Sequence, residues 1–352
     1  MMGLAGAKRN KCRRLLTPIE IEGQRHNEDR VNNPSLLLWY DFTDQNTLLK
    51  VNTASDQPSH GDGVWQADNK VVAQTYIGGS LATDPYPWAS IGEKGLGRVV
   101  NCPPGNAPVY VDGPTLGLLH NGLLFDGTNS FIFGSGTTGP TSGSNFSTSE
   151  LEFPGITMFI VCQRIDTGSA RTSDVFSIYD NSGSRALIAN FDTNNKFGVE
   201  LIDGSIGGGT SSSVRYTTAD DADGHYHAYN SYDDTLNVTT FTSLDADGFM
   251  NGWLSGGSTY STFGATGTFA TTFEFTGLSN NNFVCLGGRR DLTRADGVKV
   301  NTRFSGVIHE VLVWGHDLAG GIVSTDDGYD RNTMRDMLNY LHRKYKYIDN
   351  KD

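Results

Sequence analysis

His309 and Glu310 lie side by side at the centre of an apolar stretch, FSGVIHEVLVWGHDL, which covers residues 304–318. A histidine beside a carboxylate can serve as a catalytic pair, as two metal ligands, or as two polar groups with partners in a sheet. Successive side chains of a regular strand point to opposite faces, which places Glu310 with Ile308 and His309 with Val307. We therefore predict that each is hydrogen-bonded within or at the edge of a sheet, and that they are not a catalytic dyad.

Two further patterns could support catalysis or cofactor binding. Glu150 and Glu152 in ELEF share one face of a predicted strand, and a carboxylate pair on one face is what glycoside hydrolysis requires. This pair stays an open alternative. Residues 134–139, GSGTTG, match the dinucleotide-binding fingerprint, but PTSGSNFSTS follows in place of the helix that would hold a pyrophosphate. We interpret them as a loop and predict no cofactor of this kind.

Metal ligands are suggested at two kinds of position. His225 and His227 in GHYHAY share one predicted strand face, but spacing locates no third ligand, so we interpret them as solvated histidines. The turns DDADG (220–224) and LDADG (244–248) each present Asp-any-Asp-Gly, whose oxygens suit calcium. Asp-Gly is also a favoured hairpin turn, so these stretches can equally be ordinary turns that bind no metal, and calcium binding stays an alternative. The candidate calcium ligands are Asp221, Asp223, Asp245 and Asp247.

A sugar site would need exposed aromatic side chains with amide or carboxylate partners. Several aromatics lie in stretches rich in Gly, Pro or Ser, which predict loops. A loop tryptophan can equally form a lid on the core, so these residues are candidates for glycan binding and no more. They are Trp65, Tyr86, Trp88, Trp253 and Tyr260.

The charge of the chain is strongly segregated. The net charge is −12, yet the first 14 residues carry five positive charges and no acid, which leaves −17 on the rest. An acidic body argues against a nucleic-acid-binding surface, where a basic stripe is expected. We interpret residues 1–33 as an extended basic arm that anchors the protein to a partner. Its basic residues are Lys8, Arg9, Lys11, Arg13 and Arg14.

The cysteines and the N-terminal composition bear on where the protein folds. The cysteines, at positions 12, 102, 162 and 285, have no metal-like spacing. Cys162 and Cys285 lie in apolar runs, where we expect free buried thiols, with a disulfide between them as the alternative. No apolar segment follows the basic residues as in a signal peptide, and no run is long enough to span a membrane. We therefore expect folding in a cytoplasm.

The composition predicts an all-β protein with one helix. Abundant glycine (43 residues) and asparagine suit tight turns, and apolar runs recur between them. LLLWYDF (36–42) is the first predicted strand, 156–164 is apolar on both faces and is placed centrally, and 304–314 is the last. At the C-terminal end the apolar period becomes helical, with Arg343, Lys344 and Lys346 in the last turns. The helix is predicted over about 330–346, and its apolar face holds Met334, Met337, Leu338, Leu341 and Tyr345.

These patterns resemble one known family of folds. The Gly287–Gly288 pair, the stretch from 304 to 318, and MLNYLHRKYKY resemble the end of concanavalin A-like, laminin G-like jelly rolls. LLLWYDF and LLFDGTNSFIF resemble the first strand and an early hairpin of that family. The resemblance implies a jelly-roll β-sandwich over 34–352 that includes the C-terminal helix. The Glu-any-Asp-any-any-Glu run that marks the glucanases of this fold is absent, and we expect no enzyme.

A jelly roll with a basic arm and no signal peptide resembles structural proteins of tailed bacteriophages, such as capsid decorations, fibres and tail appendages. This resemblance implies a virion component whose arm docks on other virion proteins or on copies of itself. Its exposed sandwich would then face out and attach to host-surface glycans. A free carbohydrate-binding lectin, with or without calcium, is the alternative, and a glycoside hydrolase is a third.

Overall fold

The computed structural model of the protein describes residues 16–21, 36–51, 56–68, 70, 98–100, 107–116, 120–128, 132–133, 155–164, 172–179, 185–191, 193, 197–203, 210–215, 238–245, 249–256, 259–262, 267–268, 283–289, 300–314, 333, 336–337, 340–341 and 343–345. Strands dominate this part of the chain. Short 3-10 helices cover Gln45–Thr47, Gly113–Leu116 and Val300–Thr302. In chain order the strands are β1 (Leu36–Asp41), β2 (Leu48–Lys50), β3 (Val64–Asp68), β4 (Arg98–Val100), β5 (Val109–Val111), β6 (Gly122–Asp126), β7 (Ile132–Phe133), β8 (Gly155–Arg164), β9 (Ser173–Tyr179), β10 (Arg185–Phe191), β11 (Phe197–Asp203), β12 (Thr210–Arg215), β13 (Val238–Asp245), β14 (Phe249–Gly256), β15 (Thr259–Thr262), β16 (Gly267–Thr268), β17 (Phe283–Leu286) and β18 (Ser305–Trp314).

The larger sheet has nine strands in the order β15-β14-β13-β8-β18-β6-β5, with β1 on β18 and β16 on β14. Its centre is the antiparallel pair of β8 and β18. Residues 158–162 of β8 are all buried, and so is every residue of β18 except Ser305. A continuous apolar run is what a strand needs when both of its faces are covered. The predicted central position of 156–164 is confirmed.

The second sheet has six strands in the order β12-β11-β10-β9-β17-β7, and it packs against the first through aromatic side chains. The ring of Phe304, at the start of β18, stacks on Phe191 of β10 with centroids 6.3 Å apart. Phe304 also lies 6.2 Å from Phe125 of β6. Two antiparallel sheets whose inner faces meet over an apolar core form a β-sandwich.

Gly287 allows these sheets to approach each other. It follows β17 with a φ of +76°, and a Cβ at this position would lie 2.2 Å from Cδ1 of Phe125. A side chain here would therefore strain the backbone and overlap a core ring. Gly287 N donates to Val175 O, and Phe304 N donates to Gly287 O, so the residue joins β9 to the start of β18.

The turn between β6 and β7 begins with Asp126 and Gly127, as the sequence predicts. Gly127 has a φ of 75°, which glycine adopts without strain. The Asp126 carboxylate accepts hydrogen bonds from the backbone N and the hydroxyl of Thr128, at 2.9 Å each.

A third, smaller sheet contains β2, β3 and β4.

The described part of the N-terminal segment, residues 16–21, contains a helical turn. Thr17 and Glu20 form a reciprocal cap: Thr17 N donates to Glu20 Oε2 at 2.9 Å, and Glu20 N donates to Thr17 Oγ1 at 3.3 Å. Pro18 and Ile21 are buried, so this part of the segment has apolar surface to bury. The five basic residues of the arm lie outside the described residues.

A C-terminal helix is present as predicted, because every described residue from 333 to 345 is helical. Met337, Tyr340, Leu341 and Tyr345 are buried while Arg343 is exposed, which gives the helix the two faces that the spacing indicates. Met334 and Leu338 lie outside the described residues. No helix long and apolar enough to cross a bilayer occurs among the residues described.

Candidate functional site

Four polar side chains form a row across the outer face of the six-stranded sheet. Asp174 on β9 and Asn190 on β10 are Cα partners, and Glu200 lies on the adjacent strand β11. Phe191, the next residue after Asn190, points to the core between the sheets. Because side chains alternate along a strand, Asn190 points to the opposite, outer face. Arg289 reaches the row from the turn that follows β17.

The guanidinium of Arg289 holds the row together. Its Nε donates to Asp174 Oδ2 at 2.7 Å, and its Nη2 donates to Asp174 Oδ1 at 2.8 Å and to Glu200 Oε2 at 2.9 Å. Asn190 Nδ2 donates to the same two acceptors, Asp174 Oδ1 at 3.1 Å and Glu200 Oε2 at 3.0 Å. Two parallel bonds to one carboxylate fix both the position and the plane of the guanidinium.

Burial and charge make the row a rigid, weakly acidic patch. The Asp174 side chain is fully buried, whereas those of Arg289 and Glu200 are 9% and 18% exposed. Burial lowers the pKa of Arg289, but the attraction of Asp174 and then of Glu200 outweighs burial and raises the pKa above its usual value. Arg289 therefore stays charged, and the formal charges of Arg289, Asp174 and Glu200 sum to one negative charge.

Arg289 occupies both oxygens of Asp174, because it donates a hydrogen bond to each of them. The Nη1 amino group of Arg289 has no acceptor among the described residues, which leaves two fixed N–H donors beside the partly exposed Glu200.

A second polar cluster surrounds Glu310 and attaches the C-terminal helix to the sheet. Glu310 Oε1 accepts from Trp39 Nε1 at 2.6 Å and from the Tyr340 hydroxyl at 2.9 Å. Its Oε2 accepts from Lys344 Nζ at 2.9 Å and from the Tyr345 hydroxyl at 2.5 Å. Burial raises the pKa of Glu310, and the charge of Lys344 opposes that rise. The carboxylate is fully buried and holds three helix residues, so its role is structural, as the sequence predicts.

Lys344 connects this cluster to a buried aspartate on β1. Its Nζ lies 2.8 Å from Asp41 Oδ1, and Lys70 Nζ lies 2.9 Å from Asp41 Oδ2. Burial alone would raise the pKa of Asp41, but Lys344 and Lys70 outweigh it and lower the pKa to about 2. The contact between helix and sheet is thus a chain of alternating charges.

His309 departs from the predicted alternation because β18 has a bulge. Relative to β8, Ile308 pairs with Cys162 and Glu310 with Val161, so His309 is an extra residue. The prediction that His309 and Glu310 point apart is therefore wrong: both reach Tyr345, whose ring centroid lies 6.2 Å from that of His309. His309 is buried and its Nδ1 lies 2.8 Å from the backbone oxygen of Asn121, which confirms the predicted hydrogen bond.

The aromatic glycan candidates occupy other positions than predicted. Trp65 lies in β3, Trp253 in β14 and Tyr260 in β15, so their placement in loops is wrong. Aromatic side chains favour the pleated surface of a strand, and this preference outweighs the Gly and Ser residues around them. Tyr86 and Trp88 lie outside the described residues.

Most of the predicted metal ligands and the predicted carboxylate pair lie outside the described residues. Asp245 is the last residue of β13, opposite Gly155, whereas Asp221, Asp223 and Asp247 lie outside the described residues. The same is true of Glu150, Glu152, His225, His227 and the loop 134–139. Within the part of the chain that the structure describes, no three His, Cys, Asp or Glu side chains are grouped as metal ligands would be. Cys162 and Cys285 are buried free thiols, as expected.

Sequence reasoning missed Asp174, Asn190, Glu200 and Arg289. A signal was present, because Asp174, Asn190 and Glu200 each lie next to apolar residues in the stretches DVFSIYD, RALIANFD and KFGVELID. Only the register of β9, β10 and β11 shows that the three residues lie on one face and next to one another.

The chain was compared with known proteins. No protein-family model matches it, and no curated protein does. Among solved structures, the enzymatically active domain of tailspike protein 2 from bacteriophage CBA120 is 20% identical, with 59% of this chain and 27% of that chain covered and a TM-score of 0.34. CBM40 of the Ruminococcus gnavus IT-sialidase is 14% identical, with 54% and 91% covered and a TM-score of 0.31. Domains LG4-5 of the mouse laminin α1 chain are 10% identical, with 49% and 38% covered and a TM-score of 0.28.

The match spans about a quarter of the tailspike chain. We therefore assign the fold from the arrangement of the strands in this chain. Two antiparallel sheets pack face to face, and the last strand, β18, lies between β8 and β6 and also pairs with the first strand, β1. The chain is therefore an all-β protein built as a sandwich of two antiparallel sheets. A phage tailspike and a laminin G domain pair are among its structural neighbours.

Proposed function

We propose that the protein is a non-enzymatic structural component of a virus particle that binds a host-surface glycan through the outer face of its six-stranded sheet. The observation that carries the proposal is the row formed by Asp174, Asn190, Glu200 and Arg289. Its side chains are held in fixed orientations by one another, and Arg289 keeps two N–H donors without an acceptor among the described residues.

The row has the chemistry that sugar hydroxyls require. A hydroxyl group both donates and accepts, so it pairs with a carboxylate on one side and with a guanidinium or amide N–H on the other. Because Arg289 is already held by Asp174, little side-chain freedom is lost when a ligand binds. The net negative charge of the row favours a neutral, hydroxyl-rich glycan over one that carries carboxylates.

Attachment to a particle is supported by the separation of charge along the chain. Five positive charges in the first 14 residues precede a body of net charge −17, so the two parts suit different surroundings. The basic arm would contact acidic surfaces of other virion proteins or of further copies of the chain. The sandwich would then face solvent as a capsid decoration, fibre or tail appendage.

Glycan binding is tested with the full chain on an array that contains neutral and acidic glycans. We expect micromolar binding to neutral glycans, at least tenfold weaker in Glu200→Ala and unchanged in Thr193→Ala, which alters an exposed residue beyond β10. Equal loss in both variants, or no binding by the natural chain, would contradict the proposal. Adding a chelator distinguishes a calcium-dependent lectin, because only such a lectin would lose binding.

Attachment is tested separately by replacing Lys8, Arg9, Lys11, Arg13 and Arg14 with glutamine. We expect the variant to bind glycan normally but to be depleted from purified particles. Unchanged incorporation would remove the docking role of the arm. A free lectin would show glycan binding with no particle association in either form.

A further inference from the structure

The C-terminal helix is fixed to the sandwich at its last described turn, and two histidines lie in that contact. His120 Nε2 is 3.1 Å from the backbone oxygen of Tyr345, and the two rings lie 4.9 Å apart. The ring of His309 lies 6.2 Å from Tyr345 and 6.4 Å from His120. The bulge in β18 therefore brings a buried imidazole against the same helix residue whose hydroxyl is bound by Glu310.

The proton of the neutral His309 ring can be assigned. The backbone oxygen of Asn121 can only accept a hydrogen bond, so Nδ1, which lies 2.8 Å away, carries the hydrogen. Nε2 is then the unprotonated nitrogen. It is buried and has no hydrogen-bond partner among the described residues. A proton added at Nε2 would thus meet no acceptor there.

Lys344 already places a positive charge near His309, so the surroundings do not favour a protonated, positively charged His309 ring. The groups that face it are His120 from the segment before β6 and Lys344 from the helix, and Lys344 is paired in turn with Glu310 and with Asp41 of β1. Glu310 would attract an imidazolium, but each of its oxygens already accepts two hydrogen bonds. Burial is the largest cause that lowers the pKa of His309, to about 4, and His120 and Lys344 add to it against the bond with Asn121.

We propose that His309 is an acid-sensitive latch: its protonation releases the C-terminal helix from β1 and β18, while the sandwich stays folded. Release lets the imidazolium reach water and separates it from Lys344. This inference is independent of the proposed glycan site and particle.

The direction of the effect follows from linkage. A histidine whose pKa is lowered in the closed state stabilises that state above its ordinary pKa of about 6.5, and the stabilisation is lost as the pH falls towards about 4. The opening constant rises by up to tenfold per pH unit in this window, or about 300-fold in all. The raised pKa of Glu310 acts in the opposite direction, so the diagnostic quantity is the difference between the natural chain and a His309 variant.

The test is hydrogen exchange of the full chain between pH 7.5 and 4.5, read by mass spectrometry and corrected for intrinsic exchange. We expect protection of residues 336–345 to fall as the pH is lowered, while that of β8 stays constant. In His309→Gln, whose amide can still donate to Asn121, the protection should become nearly independent of pH. His120→Gln is the matched control and should keep the pH dependence of the natural chain.

Three results would overturn the latch: constant protection of the helix in the natural chain, equal pH dependence in His309→Gln, or loss of the dependence in His120→Gln alone. If His309→Gln does not fold, an NMR titration of the natural chain decides. His309 must then titrate below its ordinary pKa of about 6.5 and in step with exposure of the helix, and titration near 6.5 would contradict the proposal.

Discussion

Arg289 and Asp174 are joined by two parallel hydrogen bonds of 2.7 and 2.8 Å on the outer face of the six-stranded sheet. Such a pair depends on the planar fork of arginine, which a lysine cannot reproduce. The pair also orders the neighbouring acceptor, Glu200, because the same Nη2 serves both carboxylates. Stability and the geometry of the candidate site are therefore coupled at one side chain.

Replacing Arg289 should destabilise the protein in two graded steps. We expect Arg289→Lys to lower the free energy of unfolding by about 2 kcal/mol, because one charge remains but the fork is lost. Arg289→Met should cost about 3–5 kcal/mol, because it leaves Asp174 buried without its cation. Urea unfolding measures both, with Thr193→Ala as a control expected within about 0.5 kcal/mol. Equal values for the two Arg289 variants would contradict this account.

Substitutions at two glycines with positive φ can distinguish the cost of backbone strain from the cost of steric overlap in the core. Gly61 has a φ of +88° and open space where a Cβ would lie, whereas a Cβ on Gly287 would overlap Phe125. We expect Gly61→Ala to cost about 1 kcal/mol and Gly287→Ala about 2–4 kcal/mol. Thermal and urea unfolding of the two variants check the difference. Similar losses would mean that the sheets can separate enough to admit the methyl group.

Replacing Glu310 should weaken the attachment of the C-terminal helix. Glutamine keeps one oxygen, but its amide nitrogen must face donors among Trp39, Tyr340, Tyr345 and Lys344. We expect Glu310→Gln to lower the free energy of unfolding by about 3 kcal/mol, in the range for a broken buried ion pair. Circular dichroism during urea unfolding measures the loss. Arg343→Gln, at an exposed position of the same helix, should change stability by less than about 0.5 kcal/mol.

Asp41 should give the protein a separate loss of stability in strong acid. Its pKa is lowered from 3.8 to about 2, so the stabilisation is complete above pH 3.8 and is lost as the pH falls towards 2. The shift corresponds to about 2 kcal/mol. Urea unfolding between pH 5 and 2 should show this slope in the natural chain and a flatter one in Asp41→Asn. An unchanged slope in the variant would assign the effect to other carboxylates.

The sequence predicts those parts of the fold that depend on local periodicity. The central strand at 156–164, the Asp126–Gly127 turn and the helix that carries Tyr345 follow from apolar spacing and turn chemistry, and the structure confirms them. The position of Trp65 does not follow, because flanking glycines predict a loop, whereas its neighbours Val64 and Gln66 pair with β2 and so include it in β3. Propensity is local, and strand pairing is not.

The clusters are harder to predict for a related reason. A bulge at His309 is a mismatch between β8 and β18, and it cannot be read from the residues of either strand alone. Asp174 and Glu200 meet through Arg289, which is distant from both in the chain. Each residue is recognisable as polar among apolar neighbours, but the shared partner depends on the register of three strands and on the turn at Gly287.

The pairing of β1 with β18 has a consequence for how the protein is made. Trp39 and Glu310, which meet through a hydrogen bond across this pair, are separated by 271 positions in the chain. A contact between such distant residues forms late, because a long loop must close before the contact can stabilise the fold. On the ribosome, β1 must wait for β18 to emerge, and at roughly 5–20 residues per second that delay is on the order of tens of seconds. During that delay the apolar side chains of β1 lack the partners that β18 supplies in the folded protein.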